Sequence, residues 1–279
     1  MVALDPRTHP FRPEIAAKHL EGQVDAARFV EGVRYEVVEP MASMRRTPSN
    51  HARLDTQALL GEAVTVYETN DAGWAWGQLE TDGYVGWLPT DALGTAGAAP
   101  THKVVVPRTL AFPGPDIKLT PLTGLPMGAR LTVVDQDERF VVTSMGWHVP
   151  LAHVATLKAR APDFVAVAEQ FLHTPYLWGG KCALGLDCSG LVQVSLQAAG
   201  VPCPRDSDMQ ELALGRLSTL GDLSRGDLVF WKGHVAIARD ADTLIHANAY
   251  HMLVAIEPTV DAVARIAAAG SPVTTVKRI

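Results

Sequence analysis

Apolar and polar residues alternate in short runs through the first half of the chain, and helical spacing takes over only beyond residue 161. Residues 33–38, 63–67, 74–79 and 84–88 each have the period of a half-buried strand, and turn residues separate them, notably Asn70-Asp71-Ala72-Gly73 and Thr81-Asp82-Gly83. A second block repeats the rhythm at 103–106, 129–135, 140–143 and 146–149. In each block a Gly opens one strand (Gly61, Gly128) and a Gly-Trp pair closes a later one (Gly86-Trp87, Gly146-Trp147). The pattern predicts a duplicated small β-barrel at 33–95 and 100–158, joined through the uncharged stretch 94–100. Ahead of it, Ile15, Ala16, His19, Leu20, Val24, Ala27 and Phe29 follow helical spacing, which marks 1–32 as a docking segment.

Beyond Pro162 the texture changes. Phe164, Val165, Val167, Ala168, Phe171 and Leu172 mark the apolar face of one helix, and a second is expected from about Cys188 to a stop before Gly200. Apolar strands follow at 227–231, 234–238 and 243–247. Helices first and antiparallel strands afterwards make 162–279 an α+β domain.

Composition narrows the function classes. Of 279 residues, 47% are apolar, enough for packed cores and too many for a disordered chain. The net charge is −6, from 24 Lys and Arg against 30 Asp and Glu, so neither a nucleic acid nor an anionic membrane surface is an expected partner. No run reaches the ~18 apolar residues of a membrane helix. The first residues lack the basic start and apolar stretch of a secretory leader, so a cytoplasmic protein is expected. Three cysteines, at 182, 188 and 203, are too few for a disulfide framework and fit the same expectation.

Candidate chemistry gathers around Cys188. It lies in Gly185-Leu186-Asp187-Cys188-Ser189-Gly190, where a helix starts, and helix N-termini favour a thiolate and supply N–H groups to an oxyanion. Gly190 is expected to leave room for a substrate. A cysteine nucleophile needs a base, and the base needs an orienting group. His234 opens one strand and His246 lies near the end of the next, so an antiparallel pairing brings them side by side; Asn248 and His251 are alternatives for the orienting role. A zinc site from Cys182, Cys188, Cys203, His234 and His246 is disfavoured, because there is no C-x-x-C and no closely spaced His pair. Neither a metal nor a cofactor is expected.

Thr174-Pro175-Tyr176-Leu177-Trp178-Gly179-Gly180 through Leu186-Asp187-Cys188-Ser189-Gly190-Leu191-Val192-Gln193, then Gly226–Trp231 with Gly233-His234-Val235-Ala236-Ile237, and Leu244-Ile245-His246-Ala247-Asn248-Ala249, resemble the three sequence blocks of the NlpC/P60 cysteine peptidases. The resemblance spans about 162–260. It implies a papain-like α+β fold, a Cys188/His234/His246 triad, and hydrolysis of murein stem peptides at the γ-D-glutamyl–diamino acid bond, with Tyr176 adding to the oxyanion site. The N-terminal blocks look like bacterial SH3 (SH3b) domains. The order of domains resembles the murein-recycling endopeptidases that take peptides with a free N-terminal L-Ala and release L-Ala-γ-D-Glu. That likeness implies an ammonium site from Glu62, Tyr84, Tyr176 and Asp187, contacts to the D-Glu portion from Ser189, Asp206 and Ser207 beside Arg205, and a groove lined by Trp178. The competing readings are a hydrolase of intact peptidoglycan with the SH3b domains as wall anchors, an inactive peptidoglycan-binding module, and a thiol acyltransferase of related fold.

Overall fold

The computed structural model describes residues 4–279, which form two compact units, one ending at Leu157 and one spanning Lys158–Ile279.

In the first unit the N-terminal segment is not helical. Phe11–Arg12, Ile15–Ala17 and Phe29–Val30 form a small three-stranded sheet, with Pro13-Glu14 turning the chain between the first two strands. The reason is local: Gly22 takes a left-handed conformation (φ 79°) in the middle of the expected helical run, and Pro13 turns the chain just ahead of it. Ile15, Ala16 and Ala17 are all fully buried, which a one-faced helix would not allow. Ile15 packs with Trp74, Trp76, Val85 and Trp87, and the Arg12 guanidinium lies over the Trp76 and Trp87 rings while pairing with Glu68.

A seven-stranded antiparallel sheet follows, in the order Leu93–Thr95, Val33–Val37, Ala63–Asn70, Trp74–Leu79, Val85–Pro89, Met41–Arg45, Leu54–Leu59. Its core includes Val37, Met44, Val64, Leu79, Tyr84 and Leu88. The first residues of the expected linker belong to this sheet, with Gly94 opposite Glu36. The second block differs from the expected copy. It is divided among three small sheets around Val104, Ala111, Leu125, Leu131, Val141 and Val149. Its strands are only two to four residues long, and the expected run 129–135 splits at Thr132 between two of the sheets, with a bulge between Val133 and Asp135.

The second unit is mixed α and β. Helix α1 (Phe164–Glu169) is capped by Asp163, whose carboxylate accepts from the Val165 N–H at 2.8 Å. Helix α2 (Cys188–Ala198) ends where expected, with Gly200 left-handed (φ 81°) just past it. Helix α3 (Ser207–Ala213) leads into a sheet of six strands: β1 (Arg216–Ser218), β2 (Leu228–Trp231), β3 (His234–Ala238), β4 (Thr243–Asn248), β5 (Leu253–Pro258) and β6 (Val273–Arg278). The spatial order is β1-β6-β2-β3-β4-β5, and every pairing is antiparallel. Helix α4 (Thr259–Ala268) runs between β5 and β6 and packs Ala262 against Ala236, Ala238 and Leu244.

Register decides what the sheet presents. Ile237 lies opposite Ile245, and His246 opposite Ala255. Counting in steps of two puts His234, His246 and Glu257 on one face, on three neighbouring strands, each a diagonal neighbour of the next.

Candidate active site

Cys188 is the first residue of α2, and the residue before it holds the helix end in place. Asp187 Oδ1 accepts from the Gly190 N–H at 2.7 Å, and Oδ2 accepts from the Gly179 N–H at 2.8 Å. Arg205, fully buried, donates Nη1 to Oδ1 at 2.9 Å and Nη2 to Oδ2 at 2.8 Å. Nη1 also donates to Ser189 Oγ at 2.9 Å. An N-cap alone is worth about 1 kcal/mol. Here the cap is also half of a buried ion pair, so removing Arg205 would strand a charge.

Gly190 serves this packing and not the substrate space expected of it. A Cβ there would stand 2.2 Å from the Gly180 carbonyl oxygen, and a Cβ on Gly180 would stand 2.3 Å from that of Gly185. The backbone under the cysteine is closed to any side chain at those two positions.

The surroundings of Cys188 work against the expected thiolate. Burial pushes the Cys188 thiol up to about 12, and the neighbouring Asp187 charge adds to the effect. Backbone N–H groups of Val235 and Ser189, which hydrogen-bond to the sulfur, and the more distant Arg205 pull the other way without overcoming it. The partial charge of a helix end is a smaller influence than the loss of water. The thiol therefore needs a base beside it. The Val235 contact sets the sulfur at the start of β3, one residue along the chain from His234.

His234 Nε2 and His246 Nδ1 are 2.8 Å apart, and His246 Nε2 is 2.7 Å from Glu257 Oε1. Glu257 also pairs with Arg265 of α4. Burial works against the Glu257 charge, but the hydrogen bonds from His246 and Arg265 outweigh it and hold the carboxyl at about 2. Burial lowers His234 to about 3, helped by His246 and Arg265, and lowers His246 against the pull of Glu257. The result is two neutral imidazoles in line, ending on one carboxylate. The alternatives for the orienting role are engaged with each other, since Asn248 Oδ1 accepts from the His251 backbone N–H at 2.8 Å and lies 3.0 Å from His251 Nδ1. Cysteine, base, orienting histidine and helix-end N–H groups together suit acyl transfer through a thioester.

Comparison with known proteins agrees with this chemistry. Residues 44–93 match the bacterial dipeptidyl-peptidase Sh3 domain, and residues 173–264 match the NlpC/P60 family. The chain is 34% identical over 200 residues to the gamma-D-glutamyl-L-lysine dipeptidyl-peptidase of Bacillus subtilis, a match covering 64% of each protein. It is 28% identical over 234 residues to dipeptidyl-peptidase 6 of Lysinibacillus sphaericus, covering 76% of this chain and 86% of the relative. Residues 173–264 belong to the NlpC/P60 family. The crystal structure of an NlpC/P60 family protein from Bacillus cereus shares its fold, with a TM-score of 0.75 over 88% of this chain and 99% of the other at 22% identity.

As an NlpC/P60 cysteine peptidase the chain has further residues marked by sequence, and the structure places each of them. Tyr176 is half-buried and bridged to Leu186, two residues before Cys188, and its N–H donates to the Met252 carbonyl at 2.9 Å. Trp178 is 50% exposed, just before the Gly179-Gly180 turn. Asp206 precedes the first residue of α3, Ser207, and both are half-buried. The Ser189 hydroxyl is drawn into the Arg205 cluster and donates to Asp187 Oδ1 at 3.2 Å.

Asp187 has a different task from the one expected. Its carboxylate accepts from Gly179, Gly190, Ser189 and twice from Arg205. A carboxylate has about four lone-pair positions, so a substrate ammonium would have to displace one of these donors. In the first unit, Glu62 is 3% exposed and its Oε2 accepts from the Leu59 N–H at 2.6 Å, which closes the turn it sits in. Tyr84 is packed in the core of the seven-stranded sheet.

Two participants escaped sequence reasoning: Glu257 and Arg265. The available signal was the short apolar run from Leu253 to Ile256, which follows the His246 strand closely enough to pair with it.

Proposed function

We propose that the chain is an endopeptidase of murein-derived peptides, cutting the γ-D-glutamyl–diamino acid bond of stem peptides with a free N-terminal L-Ala and releasing L-Ala-γ-D-Glu. The observation that carries the chemistry is the line from Cys188 through His234 and His246. The relative named gamma-D-glutamyl-L-lysine dipeptidyl-peptidase supports the bond and the dipeptide product. The match to a bacterial dipeptidyl-peptidase Sh3 domain supports the same choice over a wall hydrolase.

In this reading the Cys188 thiol gives its proton to His234 as the sulfur attacks the γ-carbonyl carbon of D-Glu. N–H groups at the start of α2, with the Tyr176 hydroxyl, hold the developing oxyanion. His234 then returns the proton to the leaving amine, the C–N bond breaks, and a thioester of L-Ala-γ-D-Glu remains on Cys188. Water, with His234 again as base, releases the dipeptide. Trp178 lines the groove, and Ser189, Asp206 and Ser207 receive the D-Glu portion.

The test compares L-Ala-γ-D-Glu-meso-diaminopimelate, the same peptide ending in Lys, and an N-acetylated form, with products identified by mass spectrometry. Release of L-Ala-γ-D-Glu from the free-amine peptides alone is the expected result. Equal cleavage of the acetylated peptide would favour an enzyme of intact peptidoglycan, and no cleavage of any would remove the proposal.

A further inference from the structure

We infer that Glu257, held by Arg265, is a positioning residue that sets the tautomers of both histidines, so that the site is a relay of four groups ending in a carboxylate. The inference rests on the reading of Cys188, His234 and His246 as the reacting set.

Proton counting along the line of groups fixes both tautomers. An ionised carboxylate can only accept, so at 2.7 Å from Glu257 Oε1 the His246 Nε2 must carry a proton. His246 is a neutral imidazole in a buried site, so its Nδ1 is then bare. At 2.8 Å from that bare nitrogen, His234 Nε2 must be the donor. His234 Nδ1 is left without a proton, which is the form a base needs. One charge on β5 thus decides the chemistry of a ring two strands away. When the thiol proton arrives at Nδ1, His234 becomes an imidazolium whose charge is steadied through His246 by Glu257.

The carboxylate is itself prepared for this. Arg265 of α4 pairs with it and lies over the Tyr250 ring, 4.4 Å from its centroid. The ring–guanidinium contact and the ion pair together restrict where the carboxylate can sit.

Glu257→Gln reverses the logic. A side-chain amide that turns its NH2 to His246 Nε2 puts the His246 proton on Nδ1, which then donates to His234 Nε2 and leaves a proton on His234 Nδ1, facing the thiol. The expected result is a loss of kcat of about 100-fold or more with KM changed less than about twofold. Glu257→Asp keeps the charge at a shorter reach and should recover part of the rate. The readout that a merely structural role would not move is the nitrogen-15 NMR spectrum of the imidazoles in the substrate-free Cys188→Ala protein. Protons are expected on Nε2 of both rings with Glu257 and on Nδ1 of both with Glu257→Gln. Unchanged tautomers, or full kcat in Glu257→Gln, would overturn the inference. The NMR result needs no substrate, so an error in the proposed peptide bond would not be mistaken for an error here.

Discussion

Arg205 closes on Asp187 with two hydrogen bonds, at 2.9 and 2.8 Å, and Asp187 is the residue that caps the helix carrying Cys188. A buried guanidinium thus holds the floor of the nucleophile. Replacing Arg205 by Met should lower the unfolding free energy of this unit by about 3–5 kcal/mol, because Asp187 is left as an unpaired buried charge. Arg205→Met with Asp187→Asn should recover much of that loss. Urea unfolding of the single and double variants checks both.

Gly190 admits no side chain, with the Gly180 carbonyl oxygen 2.2 Å from any Cβ built there. Gly190→Ala should therefore push the first turn of α2 away from the Gly180 backbone and disturb the Asp187 cap. The expected outcome is a loss of several kcal/mol, in the range of about 1–3 kcal/mol for overpacking plus about 1 for the cap. Slower alkylation of Cys188 by iodoacetamide, measured beside thermal unfolding, would report the displacement.

Stability should form a plateau between two pH limits. His234 is near 6.5 in the unfolded chain and about 3 when folded, so the unfolded state binds the proton first. Its contribution is full above pH 6.5 and is lost as pH falls towards 3. Cys188 runs the other way, from about 9 unfolded to about 12 folded. The unfolded state releases that proton first, so stability is full below pH 9 and declines as pH rises towards 12, by at most about 1.4 kcal/mol per pH unit. Cys188→Ala should flatten the alkaline arm and leave the acid arm in place. Urea midpoints measured from pH 4 to 11 decide it.

His246 and Asn248 are two residues apart on β4, and only one of them orients His234. His246→Ala should cost about 100-fold or more in kcat. Asn248→Ala should leave kcat within a few-fold and instead loosen the His251 turn, seen as faster amide exchange at His251. Comparable kcat losses in both variants would contradict the assignment.

Much of this site was legible in sequence because its parts lie close to local signals. Asp187-Cys188 with a stop at Gly200 announces a capped helix, and His234 and His246 lie in two adjacent strand runs. Glu257 and Arg265 were not legible in the same way. A glutamate near the end of an apolar run reads as a solvated strand end, and only register shows it to be a diagonal neighbour of His246. Arg205 follows Cys203-Pro204 in an irregular stretch, and nothing local marks it as fully buried. The first thirty residues misled for the opposite reason. Their apolar spacing fits a helix, but Gly22 divides it, and the pieces gain more by pairing as short strands over the Trp76 and Trp87 rings.

The most direct test of the account is to catch the thioester. The enzyme is mixed with L-Ala-γ-D-Glu-meso-diaminopimelate, quenched in acid during turnover, and measured by intact-protein and peptide-map mass spectrometry, with Cys188→Ala alongside. The account predicts an acyl adduct of L-Ala-γ-D-Glu on Cys188, release of free diaminopimelate, and neither in Cys188→Ala. Release of diaminopimelate by Cys188→Ala at the same rate would contradict it.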